Sequence, residues 1–166
     1  PSPHNAGWEE PDHWLADGDI IEYEEGPGPA RLRVVHTPGH TRGHVAYLDE
    51  ERGILFAGDH ILPHITPSVG FEPVPLPSPL AAYLASLRRI AEMPDARLLP
   101  AHGPVTESTH ERVDELLEHH DDRLARSFAA VTDGQNAFEV AEALPWTRHE
   151  TPFDRLNDFN RMLAVH

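Results

Sequence analysis

The 166 residues contain no cysteine and no lysine, and no apolar run approaches the roughly 20 residues of a membrane span. Without cysteine there are no disulfides, no thiolate nucleophiles and no thiolate metal sites. Without lysine, all 13 side-chain cations are arginines, set against 28 acidic residues for a net charge of −15. That balance argues against a large phosphate-backbone footprint, because cations must replace the counterions a nucleic acid sheds. Any metal has to be held by His, Asp or Glu, and histidine is abundant at 13 residues. Counting Gly in place of Tyr lifts the apolar share from 39% to about 44%, close to the roughly 45–50% of globular chains. A packed core is within reach. The length suits one domain, or one and part of a second. The chain opens at Pro1 without Met and stops at His166 inside a periodic pattern, so both ends read as cut.

Residues 1–18 are polar and turn-prone and read as irregular. Ile20 to Glu24 reads as a strand, Gly26-Pro27-Gly28-Pro29 as a turn, and Arg31 to His36 as a second, alternating strand. Val45–Leu48 and Ile54–Ala57 form a hairpin around a five-residue loop. Residues 60–78 are interrupted by proline, which excludes regular pairing for most of them. A loop of that length in a compact domain suggests a wall of a substrate site. Ser78-Pro79 opens a helix whose stripe is Leu80, Tyr83, Leu84, Leu87 and Ile90. Arg97–Leu99 is a short strand. From Thr106 the chain turns helical, with Val113, Leu116, Leu117, Leu124, Phe128 and Val131 on one face. Asn136 and Glu139 spell a capping box for a short helix, and Thr151-Pro152 opens a last one with Phe153, Leu156, Phe159 and Leu163 inward. The change of character places a boundary between 1–108 and 109–166.

Chemistry concentrates around the hairpin. His44 directly precedes its first strand and Asp59 lies two residues past its second, so the fold returns one to the side of the other. His102 follows the strand Arg97–Leu99. If these strands share a sheet with their ends on one edge, two imidazoles and a carboxylate converge. That is a donor set suited to catalytic zinc, which keeps a further position for water. Gly43, Gly58 and Gly103 flank the three donors.

The same residues carry a resemblance. His36-Thr37-Pro38-Gly39-His40-Thr41-Arg42-Gly43-His44 resembles the third metal motif of the metallo-β-lactamase superfamily. Phe56-Ala57-Gly58-Asp59 resembles its bridging-aspartate motif, and Pro100-Ala101-His102-Gly103-Pro104 its last metal histidine. The resemblance implies an α/β (α+β) fold: the second half of a four-layer αββα sandwich, then a partial, helical, winged-helix-like cap. It implies that His44 binds the first of two metals, usually zinc, that Asp59 bridges both, and that His102 binds the second. Asp59 and His102 are then the catalytic residues. A metal-bound hydroxide would attack an ester, thioester or related acyl bond. Phosphodiester cleavage, as in ribonucleases of the superfamily, is the alternative. The family's first metal motif, His-x-His-x-Asp-His, occurs nowhere in this chain, so the first half of the sandwich is expected to be missing. A third alternative is therefore a non-catalytic fragment that self-associates or needs a complementary N-terminal half.

The expected partners are a small-molecule substrate and such a half or a second copy. Neither nucleic acid nor membrane is expected, because residues 106–166 are acidic and show no basic stripe. The expected location is cytoplasmic. His40 reads as a brace for the motif loop, His36 as structural, and His60 and His64 as either substrate contacts or ordinary loop positions. His119-His120 reads as a solvated face with one packed imidazole, and Arg88 and Arg89 as solvated.

Overall fold

The computed structural model describes residues 11–25, 28–147 and 149–165. The irregular reading of residues 1–10 and the Gly26-Pro27 part of the first turn lie outside the described residues. Strands β1 (Ile20–Glu25), β2 (Gly28–His36), β3 (Val45–Asp49), β4 (Ile54–Gly58) and β5 (Arg97–Pro100) form one sheet in the order 1-2-3-4-5. The first three pairings are antiparallel and the last is parallel. A parallel neighbour needs a long crossover. Here it consists of the proline-interrupted segment and helix α1 (Pro79–Ala91).

Alternation decides which side chains enter the core. Val35, Ala46, Leu48, Leu55, Ala57 and Leu98 share one face and pack with Tyr83, Leu87 and Ile90 of α1. Helix α2 (Thr109–Ala130) adds Val113 and Leu116 to the same core, so its first half belongs with the sheet. Asp95 anchors that start: its Oδ1 accepts from the amides of Ala96, Thr109 and His110, and its Oδ2 from the Ser108 hydroxyl. Ser108 in turn accepts from Glu111 N–H as the N-cap. At α1, by contrast, Pro79 occupies the first turn but Ser78 makes no side-chain cap bond.

The face expected to run the length of α2 stops halfway. Leu124, Phe128 and Val131 are exposed, Phe128 at 85%, because the sheet ends before them. Beyond α2 come α3 (Ala137–Glu142), which has the expected Asn136–Glu139 capping box, and a two-stranded ribbon of β6 (Pro145–Trp146) with β7 (Thr151–Pro152). The single last helix expected from Thr151 is in fact three pieces: β7, a 3-10 turn over Phe153–Arg155, and α4 (Asp158–Val165). Asn157 breaks the run, because its side chain caps the Asn160 amide and restarts the helix. Phe153 and Leu156 are buried with Ala141, whereas Phe159 stays 53% exposed. Arg123 of α2 ties the ribbon down by donating to Pro145 O and lying 4.3 Å over the Trp146 ring.

No helix among the described residues is long and apolar enough to cross a membrane.

Candidate metal centre

The parallel β4–β5 pair sets the geometry. Gly58 pairs with Pro100, and Ala101 N–H donates to Gly58 O at 2.9 Å, so the residues that follow, Asp59 and His102, leave the same edge side by side. Gly58 adopts φ +54°, which turns the chain out of strand alternation and presents Asp59 at the edge. The antiparallel β3 brings the loop 37–44 to that edge. Thr37 N–H bonds His44 O across the neck of this loop, and Gly39, at φ +143°, presses so close to α1 that a Cβ would meet Tyr83 Cα at 2.5 Å.

Asp59 sits between two imidazoles. Its Oδ1 is 3.4 Å from His102 Nε2, and its Oδ2 is 3.9 Å from His40 Nε2. His40 Nδ1 is 2.7 Å from the Ser68 carbonyl, which can only accept, so that nitrogen donates to it and Nε2 is the one turned towards Asp59. A carbonyl on the outer ring nitrogen is the usual way a ligand imidazole is oriented. His40 braces the loop through Nδ1, and its Nε2 also faces the carboxylate, which the reading of it as a brace alone did not include. No three His, Asp or Glu side chains close into a metal-holding group among the described residues. The arrangement is instead two imidazoles addressing opposite oxygens of one carboxylate.

His44 was expected beside Asp59; it lies near enough to feel that carboxylate, but its ring nitrogens are turned elsewhere. Its Nδ1 is bonded to the buried Thr37 hydroxyl at 2.8 Å, and its Nε2 lies over Gly58, where a Cβ would come within 2.7 Å. Burial first, and then His40, pushes its pKa down to about 4 against a smaller opposing pull from Asp59. The signal was available: His44 has the parity of Ala46 and Leu48, whose side chains enter the core. The hairpin argument brings backbones together but does not say where a ring points.

His60 is neither a substrate contact nor a surface loop position. It is fully buried against Tyr83, with ring centroids 5.1 Å apart, and neither nitrogen finds a hydrogen bond. Burial first, and then His44, pushes its pKa to about 3. His64 is exposed. His120 is the packed imidazole expected on α2, edge-on to Tyr83 at 5.5 Å. His36 is structural, bonded through Nε2 to Arg42 O. Arg89 is not merely solvated, since it pairs with Asp17 at 2.8 Å and donates to His36 O.

The segment 60–78 lacks helix and strand, as expected, yet it is held at several points. Gly70 N–H donates to Gly39 O and His40 O, and the Glu72 carboxylate accepts from Arg42 N–H. Arg112 of α2 donates to Leu62 O and Ile65 O. The segment is therefore stitched to the loop that carries His40.

A mixed sheet with two histidines and an aspartate gathered at the carboxyl edge of its two parallel strands defines a mixed α/β class of protein. A family model described as the metallo-beta-lactamase superfamily matches residues 9–102, and the chain belongs to that superfamily. It is 31% identical over 136 residues to the lactamase-like protein aptB of Emericella nidulans, covering 82% of this chain and 40% of that protein. It is 39% identical over 108 residues to the beta-lactamase-like protein 2 homolog of Caenorhabditis elegans, covering 64% and 32%. Among solved structures, a beta-lactamase domain protein from Burkholderia ambifaria superposes with a TM-score of 0.74 at 30% identity, covering 93% of this chain and 44% of that one. A metallo-beta-lactamase family protein from Thermus thermophilus gives 0.68 at 34% identity, covering 78% and 42%. The chain thus spans less than half the length of these relatives.

Proposed function

We propose that this chain supplies part of the active site of a metal-dependent hydrolase acting on a carboxylic ester, thioester or related acyl bond. The observation that carries the reading is the Asp59 carboxylate, with His102 facing one oxygen and His40 the other. A carboxylate so placed suits two metal positions that share it. His40, rather than His44, would hold one ion and His102 the other, with Asp59 between them; zinc is the first candidate, since imidazole and carboxylate suit it. Such an ion, when bound, supplies Lewis acidity and lowers the pKa of water to about 7. The Ser68 carbonyl, accepting from Nδ1, holds the His40 ring with Nε2 towards Asp59, and the ring of His44 fills the space over Gly58, next to Asp59. The net charge of −15 favours an uncharged acyl substrate over a phosphodiester.

The test is the metal content and ester hydrolysis of the longer protein. His40→Ala and His102→Ala are each expected to lose about one of two ions and most activity, whereas His44→Leu keeps its metal. Metal retained by His40→Ala and lost by His44→Leu would reject the assignment. A zinc-loaded protein inert to every acyl ester in a broad panel would reject the substrate class.

A second reading concerns the other face of the sheet. Leu99, Phe56, Tyr47 and Val34 lie opposite one another in register across four strands, continued by Leu32 and Ile21. Phe56 is 37% exposed. We propose that this face meets the complementary half that completes the fold in the longer relatives.

A further inference from the structure

An apolar lip stands beside the site, and the reading of it rests on the acyl hydrolase proposed above. Phe71 follows Gly70, whose amide is bonded to the carbonyls of Gly39 and His40, so its ring springs from backbone fastened to the metal loop. It meets Phe159 of α4 edge-on, with centroids 5.5 Å apart. Both rings remain about half exposed, at 50% and 53%, and Met162, one helical turn beyond Phe159, is 48% exposed. Two aromatic rings from segments 88 residues apart thus meet in solvent rather than in a core. Two of the polar groups nearby are already engaged: Glu72 accepts from Arg42 N–H, and Arg161 donates to Phe153 O and Asp154 O, while the exposed carboxylate of Asp158, next to Phe159, disfavours an anionic ligand. No lysine exists in the chain to receive a phosphate or carboxylate here.

We propose that Phe71 and Phe159, with Met162, form the specificity-determining lip that receives the uncharged, apolar acyl group of the substrate. The helical tail, through Phe159, thereby takes part in choosing the substrate, while His40, Asp59 and His102 do not touch that group's far end. Because Phe71 contacts substrate away from the bond cleaved, it acts through KM for long acyl groups and leaves short ones alone.

The experiment uses the zinc-loaded longer protein with p-nitrophenyl acetate, butyrate and octanoate. The expected kcat/KM rises with chain length, by up to about fourfold for each methylene that is buried. Phe71→Ala and Phe159→Ala are each expected to cut the octanoate-to-acetate preference at least about tenfold, mainly through KM, with acetate hydrolysis within about twofold of wild type. Phe71→Leu restores part of the preference and guards against a folding defect in Phe71→Ala. A second readout needs no catalysis: octanoate, but not acetate, shifts the Phe71 and Phe159 ring resonances of this chain in NMR spectra. Equal losses on acetate and octanoate, or esters cleaved with no dependence on chain length, would overturn the lip while leaving the hydrolase reading intact. A protein that cleaves no ester but degrades short single-stranded RNA would overturn both, since exposed rings also stack bases.

Discussion

Four residues separate His40 from His44, and their environments separate them further. One is fastened by a backbone carbonyl and faces a carboxylate; the other is sealed against Thr37 and Gly58. His120 illustrates what such sealing costs. Its Nε2 is buried without a hydrogen bond, and its ring packs against Tyr83 and His119. Burial, with the His119 charge, lowers its pKa from 6.5 to about 4, against a smaller opposing pull from Asp121. The unfolded chain therefore binds a proton that the folded one refuses, and stability falls as pH drops from 6.5 towards 4. His120→Leu is expected to flatten that part of the Tm-against-pH curve, followed by circular dichroism. An unchanged slope would show that His120 is not one of its sources.

At the scale of elements, α2 joins the sheet core to the helical tail, and its start depends on one carboxylate. Burial opposes the charge of Asp95, but the Ser108 hydroxyl and three amides outweigh it and hold the carboxyl below its usual range. Its contribution is complete above the unfolded pKa of 3.8 and is lost as pH falls through the lower folded value. Asp95→Ala is expected to cost about 1–2 kcal/mol at neutral pH, read as a lower urea midpoint with an unchanged slope. Asp95→Asn should recover part of it, since its carbonyl still accepts. The strands of the sheet were legible because each is a short apolar run bounded by turn residues. The ribbon of β6 and β7 was not, because a strand of two residues has no period to read. The outer half of α2 was misjudged because amphipathicity reports a face without reporting whether anything lies against it.

At the scale of the whole molecule, the sheet has one face packed against the helices and another on which Val34 is buried, Leu32, Tyr47 and Leu99 are half-buried and Phe56 is 37% exposed. A charge placed at Phe56 distinguishes an open face from one that is covered in the longer protein. Phe56→Glu is expected to lower the Tm of this chain by only a few degrees, because the side chain there is 37% exposed and the loss is that of its cross-strand contacts with Tyr47 and Leu99. In the longer protein it should lower Tm by at least about 5 °C more than in this chain, since burying an unpaired charge is costly. Comparable Tm changes in both would reject the complementary half as the partner of this face.

Local chemistry in the sequence determined the strands, the proline-interrupted segment, the capped α3 and the three motif loops. The sequence brought Asp59 and His102 to one edge only on condition that their strands share a sheet, and the parallel pairing of β4 with β5 meets that condition. Which imidazole would face Asp59 was decided only in three dimensions. Gly58 leaves strand alternation at a positive φ, and a carbonyl 28 residues away, on Ser68, holds the ring of His40. The meeting of Phe71 with Phe159 was likewise invisible in the sequence, because it joins segments 88 residues apart that share no local pattern.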